Sequence, residues 1–303
     1  MVVDHHHEDG HTHDVPGFNT AFLIAIIANG LFVVGQIIFA YVANSTSLLA
    51  DAVHNLGDVL SLIFAWIAQN LLKRLPTEQS TYGMKKSSIL AALANGVLLV
   101  FTCGIIATEA VYKLLQPSTV HAGAVMIVAA IGIVVNGATA VLFLRGSDDL
   151  NIRAAFLHLI YDALISLGVV IAAALLYWTG WLWVDPLVGL LIAAIIIKGT
   201  WALFVDSFRL IIDGVPREIV MENVRELLSS QVGVHGVHDL HVWALSTQEN
   251  ALSVHLWMPN EPLSDETRQG LSRRLRDEHH IHHTTFQVEK NHGSCDDACT
   301  PYL

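Results

Sequence analysis

The sequence predicts a membrane all-α bundle of six transmembrane helices, followed by a small α+β domain. Hydrophobic residues make up 53% of the 303 residues and charged residues only 14%, whereas a soluble domain carries about 25% charged residues. A helix needs about 20 mostly apolar residues to cross a bilayer, and six stretches meet this condition. They lie at about 19–42, 47–72, 87–111, 122–144, 154–178 and 184–206.

The character of the chain changes near residue 207, where apolar residues give way to charged ones. Amphipathic spacing predicts helices, and short runs rich in β-branched and aromatic residues predict strands. The predicted elements are helix 216–230, strands 237–245 and 251–258, helix 264–279 and strand 284–289. This α-β-β-α-β order is that of a ferredoxin-like fold.

Four segments follow from these patterns. The ends of the chain are polar and rich in histidine or cysteine, whereas the middle is apolar. We expect a flexible His-rich arm at 1–17, the transmembrane domain at 18–207, an α+β domain at 208–291 and a flexible Cys-containing tail at 292–303.

Lysine and arginine in the short connections predict the orientation, because cytoplasmic loops carry an excess of these residues. Among the lysines and arginines, only Lys113 falls in the first, third or fifth connection. The second and fourth connections contain Lys73, Arg74, Lys85, Lys86, Arg145 and Arg153. Both termini are therefore expected in the cytoplasm.

Charge and motifs exclude several classes of protein. The net charge of −11 argues against nucleic acid as a partner, and three cysteines cannot form a disulfide scaffold. The chain contains no phosphate-binding P-loop. Its 17 histidines outnumber its 16 lysines and arginines, which points towards metal.

Two predicted spans carry a histidine and an aspartate four residues apart. The second span has His54 and Asp58, and the fifth has His158 and Asp162. Residues at this spacing share one face of a helix, and polar residues inside spans usually mark an ion pathway. Two such faces turned towards each other offer two imidazoles and two carboxylates, a ligand set suited to tetrahedral zinc.

Four runs extend this pattern along the chain: SLLADAVHNLGD at 47–58, NIRAAFLHLIYD at 151–162, DPLVGLLIA at 185–193 and VHDLHVWAL at 237–245. With six spans and a small cytoplasmic domain, the chain resembles the cation diffusion facilitator family. It is most similar to the zinc-efflux members, the cobalt-zinc-cadmium resistance and zinc transporter type.

The resemblance implies a homodimeric secondary transporter, not an enzyme, in a lipid membrane. Such a protein exports divalent metal, zinc above all, from the cytoplasm in exchange for protons. Carried over to this sequence, the transport site consists of His54, Asp58, His158 and Asp162. The expected location is the bacterial plasma (inner) membrane, with the tail domain serving regulation and dimerisation in the cytoplasm. The alternative is a membrane-bound divalent-metal sensor or a passive metal channel without proton coupling.

The resemblance also implies a regulatory zinc site in the cytoplasmic domain. Its ligands fall on His238, His255, His282 and Glu289. Three neighbouring histidines are alternatives to His282 as the ligand: His279, His280 and His283. His241 is expected on the opposite face of its strand from His238.

Further metal sites are possible at the ends of the chain. Some relatives pair a C-terminal cysteine couple with N-terminal histidines of the partner subunit, and this chain has both components. They are Cys295 and Cys299 with His5, His6 and His7. Asp51 lies one turn before His54. It is expected either to contact the ligands without binding the metal or to lie on the path by which the metal leaves the site.

Overall fold

The computed structural model describes residues 20–143, 150–260 and 262–291. Six long helices account for the apolar part of the chain and agree with the six predicted stretches. They are α1 (Thr20–Val42), α2 (Thr46–Leu72), α3 (Ser87–Leu115), α4 (Ala122–Phe143), α5 (Leu150–Thr179) and α6 (Val184–Ile211).

Five of these helices contain a segment that is long and apolar enough to cross a membrane. The segments are Thr46–Leu72, Ser87–Leu115, Ala122–Ala140, Leu157–Thr179 and Val184–Ile211. Within the described residues, α1 contributes only a shorter apolar stretch, Asn29–Val42. The structure therefore confirms a multi-span membrane domain with five membrane-length helices.

The chain divides into two compact units. The first consists of the described residues up to Val59 together with Lys113–Gly189. The second consists of Leu60–Tyr112 and the described residues from Leu190 onward. Both metal-ligating helix faces predicted from the sequence belong to the first unit, and the α+β domain belongs to the second.

At one end of the first unit, the turn between α1 and α2 is tied to the connection between α3 and α4. The Asn44 amide donates a hydrogen bond to Ser118 Oγ (2.9 Å), and the His121 N–H donates to the Ala43 carbonyl (3.0 Å). Lys113 is buried there and donates to the Asn44 carbonyl at 3.0 Å. This contact gives the buried ammonium group of Lys113 a hydrogen-bond acceptor in the α1–α2 turn.

The N-terminus of α2 is capped by a residue of another helix. Asp185, in the first turn of α6, is buried and accepts hydrogen bonds from Ser45 Oγ (2.6 Å), Ser47 Oγ (2.6 Å) and the Thr46 N–H (2.7 Å). A carboxylate is favoured at the positive end of a helix, and this one lies at two such ends. Gly189 keeps the approach close, since a Cβ there would lie 2.9 Å from Thr46 Cγ2. Thus α2 and α6 begin side by side.

The second unit contains the α-β-β-α-β domain in the predicted order. Its elements are α7 (Met221–Ser229), β1 (Gly236–Ala244), β2 (Asn250–Trp257), α8 (Asp265–His279) and β3 (Ile281–Glu289). The sheet has the order β1-β2-β3, with β1 antiparallel and β3 parallel to the central strand. Strand β3 begins three residues earlier than predicted, because His280 ends α8 in the left-handed conformation and the strand follows at once.

One face of this sheet is apolar and packs against both helices. Strand β2 buries Leu252, Val254 and Leu256, which cluster with Leu228 of α7 and Leu275 of α8. The alternate residues of β2 point to the other face, because successive side chains in a strand alternate. The polar face of the sheet is therefore available for ligands.

A β-bulge in β1 changes which residues share that polar face. His238 pairs with His255, and His241 pairs with Ser253, so two residues of β1 stand opposite one residue of β2. Asp239 in the bulge has φ = 48°, a conformation that aspartate adopts more readily than most residues. Because His255 and Ser253 are two apart, His238 and His241 lie on the same face. The expectation that they lie on opposite faces is wrong.

The basic connection between α2 and α3 contacts the α+β domain within the second unit. Lys86 Nζ pairs with Asp213 at 2.6 Å, and Lys85 pairs with Glu249 in the β1–β2 turn. The Thr247 N–H donates a hydrogen bond to Ser88 Oγ at 3.1 Å. The connection between α2 and α3 therefore lies against this domain.

Candidate metal centres

The predicted membrane ligands come together where α2 and α5 face each other in the first unit. His54 Nε2 lies 3.0 Å from Asp162 Oδ1, and His158 Nε2 lies 3.2 Å from Asp58 Oδ1. His158 Nε2 is also 3.8 Å from Asp162 Oδ2. Each histidine thus meets the aspartate of the other helix, which requires α2 and α5 to run antiparallel.

The spacing of these atoms suits a small divalent cation. Zinc holds nitrogen and oxygen at about 2.0–2.2 Å, so the ligand atoms of a tetrahedral site lie about 3.3–3.6 Å apart. The three distances of 3.0, 3.2 and 3.8 Å bracket this range. Ligand atoms of His54, Asp58 and Asp162 all lie within 4.8 Å of one another, and His158 contacts both carboxylates.

The exposure of the four side chains differs along the helices. His54 and Asp162 are 19% and 4% exposed, whereas Asp58 and His158 are 34% and 51% exposed. On α5, His158 is the residue nearer the helix start. The group is therefore most accessible at the end of α5 that follows the connection from α4.

A second group of residues that could hold a metal ion lies on the polar face of the sheet in the α+β domain. His238 Nε2 is 3.1 Å from Glu289 Oε2, and His255 Nδ1 is 3.0 Å from Glu289 Oε1. The three residues could hold a metal ion. His238 Nε2 is buried and makes no hydrogen bond to the described residues, as expected of a ligand atom aimed at a metal. Two imidazoles and one carboxylate form a donor set that zinc commonly takes.

His282 is not part of this group in the structure. It is the second residue of β3 and is exposed, whereas Glu289 is the last residue of the same strand. Seven residues of strand span about 23 Å, so His282 lies at the far end of β3 from the other three. The early start of β3 is the reason for this separation.

Two further residues adjoin the cytoplasmic group. Asp239 Oδ2 lies 3.4 Å from His255 Nε2, and Asp239 Oδ1 lies 3.0 Å from His241 Nε2. Sequence reasoning did not select Asp239, because nothing in the run VHDLH reveals the bulge that brings it towards the ligands. An aspartate between two histidines is the signal that could have identified it.

The remaining predicted ligands are at the ends of the chain. Cys295, Cys299, His5, His6 and His7 lie outside the described residues. Asp51 lies within them, buried one turn before His54, and contacts Gln36 and Ser166 instead of the histidine.

Long apolar helices with paired histidines and carboxylates between them are typical of integral membrane proteins that move cations. Comparison with known proteins narrows this class. The family model described as the cation efflux transmembrane domain matches residues 22–212, and the cation efflux protein cytoplasmic domain matches 216–291. The chain belongs to the cation efflux family. The predicted family is therefore confirmed, and the family consists of transporters, not enzymes.

Relatives from several bacteria match nearly the whole chain. The "Cadmium, cobalt and zinc/H(+)-K(+) antiporter" of Bacillus subtilis is 32% identical over 301 residues, covering 97% of each chain. The "Metal cation efflux system protein CzcD" of Cupriavidus metallidurans is 32% identical over 283 residues, covering 92% of this chain and 90% of the relative. The "Zinc transporter ZitB" of Escherichia coli is 30% identical over 294 residues, covering 95% and 93%.

Proposed function

We propose that this protein exports divalent metal, zinc above all, from the cytoplasm in exchange for protons, with His54, Asp58, His158 and Asp162 as the transport site. The observation that carries the proposal is the crosswise pairing of each histidine with the aspartate of the opposite helix. Similarity to proteins named as zinc and cadmium, cobalt and zinc transporters supports the choice of metal.

The same pairing supports exchange for protons. A metal ion binds to neutral imidazole and ionised carboxylate, so binding releases protons from a protonated site. Without metal, a proton on each imidazole is shared with a carboxylate at about hydrogen-bond distance, 3.0 and 3.2 Å. Metal and protons therefore stabilise the same four groups in turn, and transport of one drives release of the other.

The architecture that we propose has six spans, with α1 as the first, and both termini in the cytoplasm. Its segments are the arm at 1–17, the transmembrane domain at 18–207, the regulatory and dimerisation domain at 208–291 and the tail at 292–303. The contact of Lys86 with Asp213 supports a common side for the basic α2–α3 connection and the α+β domain. The match to bacterial relatives supports the plasma (inner) membrane.

The cytoplasmic site is proposed to bind a regulatory zinc ion. His238, His255 and Glu289 carry this proposal, since their ligand atoms converge within one chain. Asp239 is suited to orient His255, because ligating histidines usually give their second nitrogen to a carboxylate. His282 and the pair Cys295 and Cys299 with His5, His6 and His7 could complete sites in the proposed homodimer.

Transport in proteoliposomes tests the coupling to protons. Zinc uptake is expected only when a proton gradient can run in the opposite direction, because metal and protons compete for the same ligands. An internal zinc dye and an internal pH dye report the two fluxes together. Zinc uptake that is unchanged when the pH gradient is collapsed and reversed would contradict antiport and favour a passive channel. Zinc binding without any uptake would favour a sensor.

Cysteine labelling tests the orientation. In a chain whose own cysteines are replaced by alanine, a thiol introduced as Gly146→Cys is expected to be shielded from an impermeant reagent in intact cells. A thiol introduced as Thr119→Cys in the exposed α3–α4 connection is the matched control and should react, because consecutive connections of a multi-span protein alternate sides. Labelling of Gly146→Cys with protection of Thr119→Cys would reverse the proposed topology.

A further inference from the structure

A buried polar network lies directly beside the transport site. Asp51 accepts hydrogen bonds from Gln36 Nε2 at 2.6 Å and from Ser166 Oγ at 3.0 Å. Asn55 Nδ2 donates to Gln36 Oε1 at 3.1 Å. These four side chains come from α1, α2 and α5, so the network joins three helices of the first unit.

The network occupies one end of the contact between α2 and α5. His158 faces Asp58, Asp162 faces His54, and Ser166 faces Asp51, each step being about one helical turn. Exposure falls along this series, from 51% and 34% at His158 and Asp58 to 0% at both Ser166 and Asp51. The site is accessible at the His158 end and closed at the Asp51 end.

Closure at this end depends on the carboxylate of Asp51. A carboxylate without partners would be strongly unfavourable in an apolar interior. Here its partners are Gln36 on α1 and Ser166 on α5. Moving either helix away from α2 removes a hydrogen bond from this buried charge. Access to the metal from the Asp51 end therefore requires these bonds to break.

We infer that Asp51 is a positioning residue that keeps the transport site closed on the side away from His158 and holds α1 and α5 against α2. It binds neither metal nor proton in this role. The inference rests on the proposed function of the four ligands and deepens it, because it assigns a residue to alternating access.

Exchange of two side chains provides the test. Asp51→Asn removes the charge and leaves one uncharged amide oxygen to accept from Gln36 Nε2 and Ser166 Oγ. The double variant Gln36→Glu with Asp51→Asn moves the carboxylate to α1 and preserves all the bonds. The amide introduced on α2 and the Asn55 amide both donate to the new carboxylate, and Ser166 donates to the oxygen of the introduced amide. Kinetics of zinc uptake into inside-out membrane vesicles give KM and kcat for each variant.

Asp51→Asn is expected to raise KM about tenfold with kcat changed by less than about twofold, because a weakened hydrogen bond to a charge lowers the population open on the His158 side. The double variant should return KM to within about threefold of the original value, since its hydrogen bonds are restored. Should Asp51→Asn fail to fold, normal KM in a folded double variant supports the inference by itself.

Three results would overturn the inference: an unchanged KM in Asp51→Asn, a fall in kcat alone, or a double variant that folds poorly or keeps the high KM. A fall in kcat alone, or a folded double variant that keeps the high KM, would show that a charge at position 51 itself handles the cation. Asp162→Ala in the same vesicles separates this inference from the proposed function. Its normal transport would refute the transport site, whereas its loss of transport beside an unaffected Asp51→Asn refutes only the positioning role.

Discussion

Asp162→Ala is expected to reduce zinc export to background while the protein still accumulates in the membrane. Asp162 contacts both imidazoles, at 3.0 Å from His54 and 3.8 Å from His158. Its loss leaves one carboxylate to offset a divalent ion, and a poorly compensated buried charge costs about 3–5 kcal/mol. That cost corresponds to at least about a hundredfold loss of rate. Zinc tolerance of cells and uptake into vesicles, at matched expression, measure the effect.

His255→Ala is the matched control, because it removes a ligand from the other candidate metal centre. Asp239, Glu289 and His238 remain there, and Asp239 Oδ2 lies 3.4 Å from Nε2 of the imidazole that is removed. This variant should weaken zinc binding by the cytoplasmic domain and alter activation, yet leave measurable export. Normal export by Asp162→Ala together with abolished export by His255→Ala would show that the two sites have been assigned the wrong roles.

Asp185→Ala is expected to cause the largest loss of stability outside the two metal centres. Its carboxylate accepts hydrogen bonds from Ser45 Oγ, Ser47 Oγ and the Thr46 N–H. Removing an N-cap costs about 0.5–2 kcal/mol, and each buried donor left without an acceptor adds about 1–3 kcal/mol. Partial rearrangement leaves an expected loss of about 2–4 kcal/mol in the free energy of unfolding. Thermal unfolding of the purified protein in detergent measures it.

Ser45→Ala separates the shared acceptor from a single donor. This variant removes the bond to Asp185 and the one that Ser45 Oγ accepts from the Leu48 N–H, but leaves Asp185 with its other partners. About 1–2 kcal/mol should therefore be lost. Asp185→Asn keeps an acceptor oxygen and should fall between the two variants. Equal melting temperatures of Asp185→Ala and Ser45→Ala would rule out the proposed cap between α2 and α6.

Most of the fold could be predicted because its signals are local. Six apolar runs predict six helices within a few residues of the observed ends, and amphipathic spacing predicts the order of the α+β domain. The spacing of His54 with Asp58 and of His158 with Asp162 is also local, since four residues place two side chains on one helix face. Such spacing does not determine which residue of α2 contacts which residue of α5.

The features that sequence reasoning missed depend on contacts between distant parts of the chain. Asp185 caps a helix whose first residue lies 139 positions earlier, and Ser166 reaches Asp51 across 115 positions. The resemblance implies His282 beside Glu289, but the two residues lie near opposite ends of β3. The bulge at Asp239, by contrast, is local, but its cause lies in the pairing of β1 with β2.

The sequence by itself determined the class of protein, the helices and the types of ligand, because hydrophobicity and periodicity act over a few turns of chain. The tertiary structure decided how those ligands combine. It paired each histidine with the opposite aspartate, joined α1 and α5 to α2 through Asp51 and brought His241 to the face of His238. These outcomes arise from packing, in which buried polar groups must find partners wherever the fold brings them together.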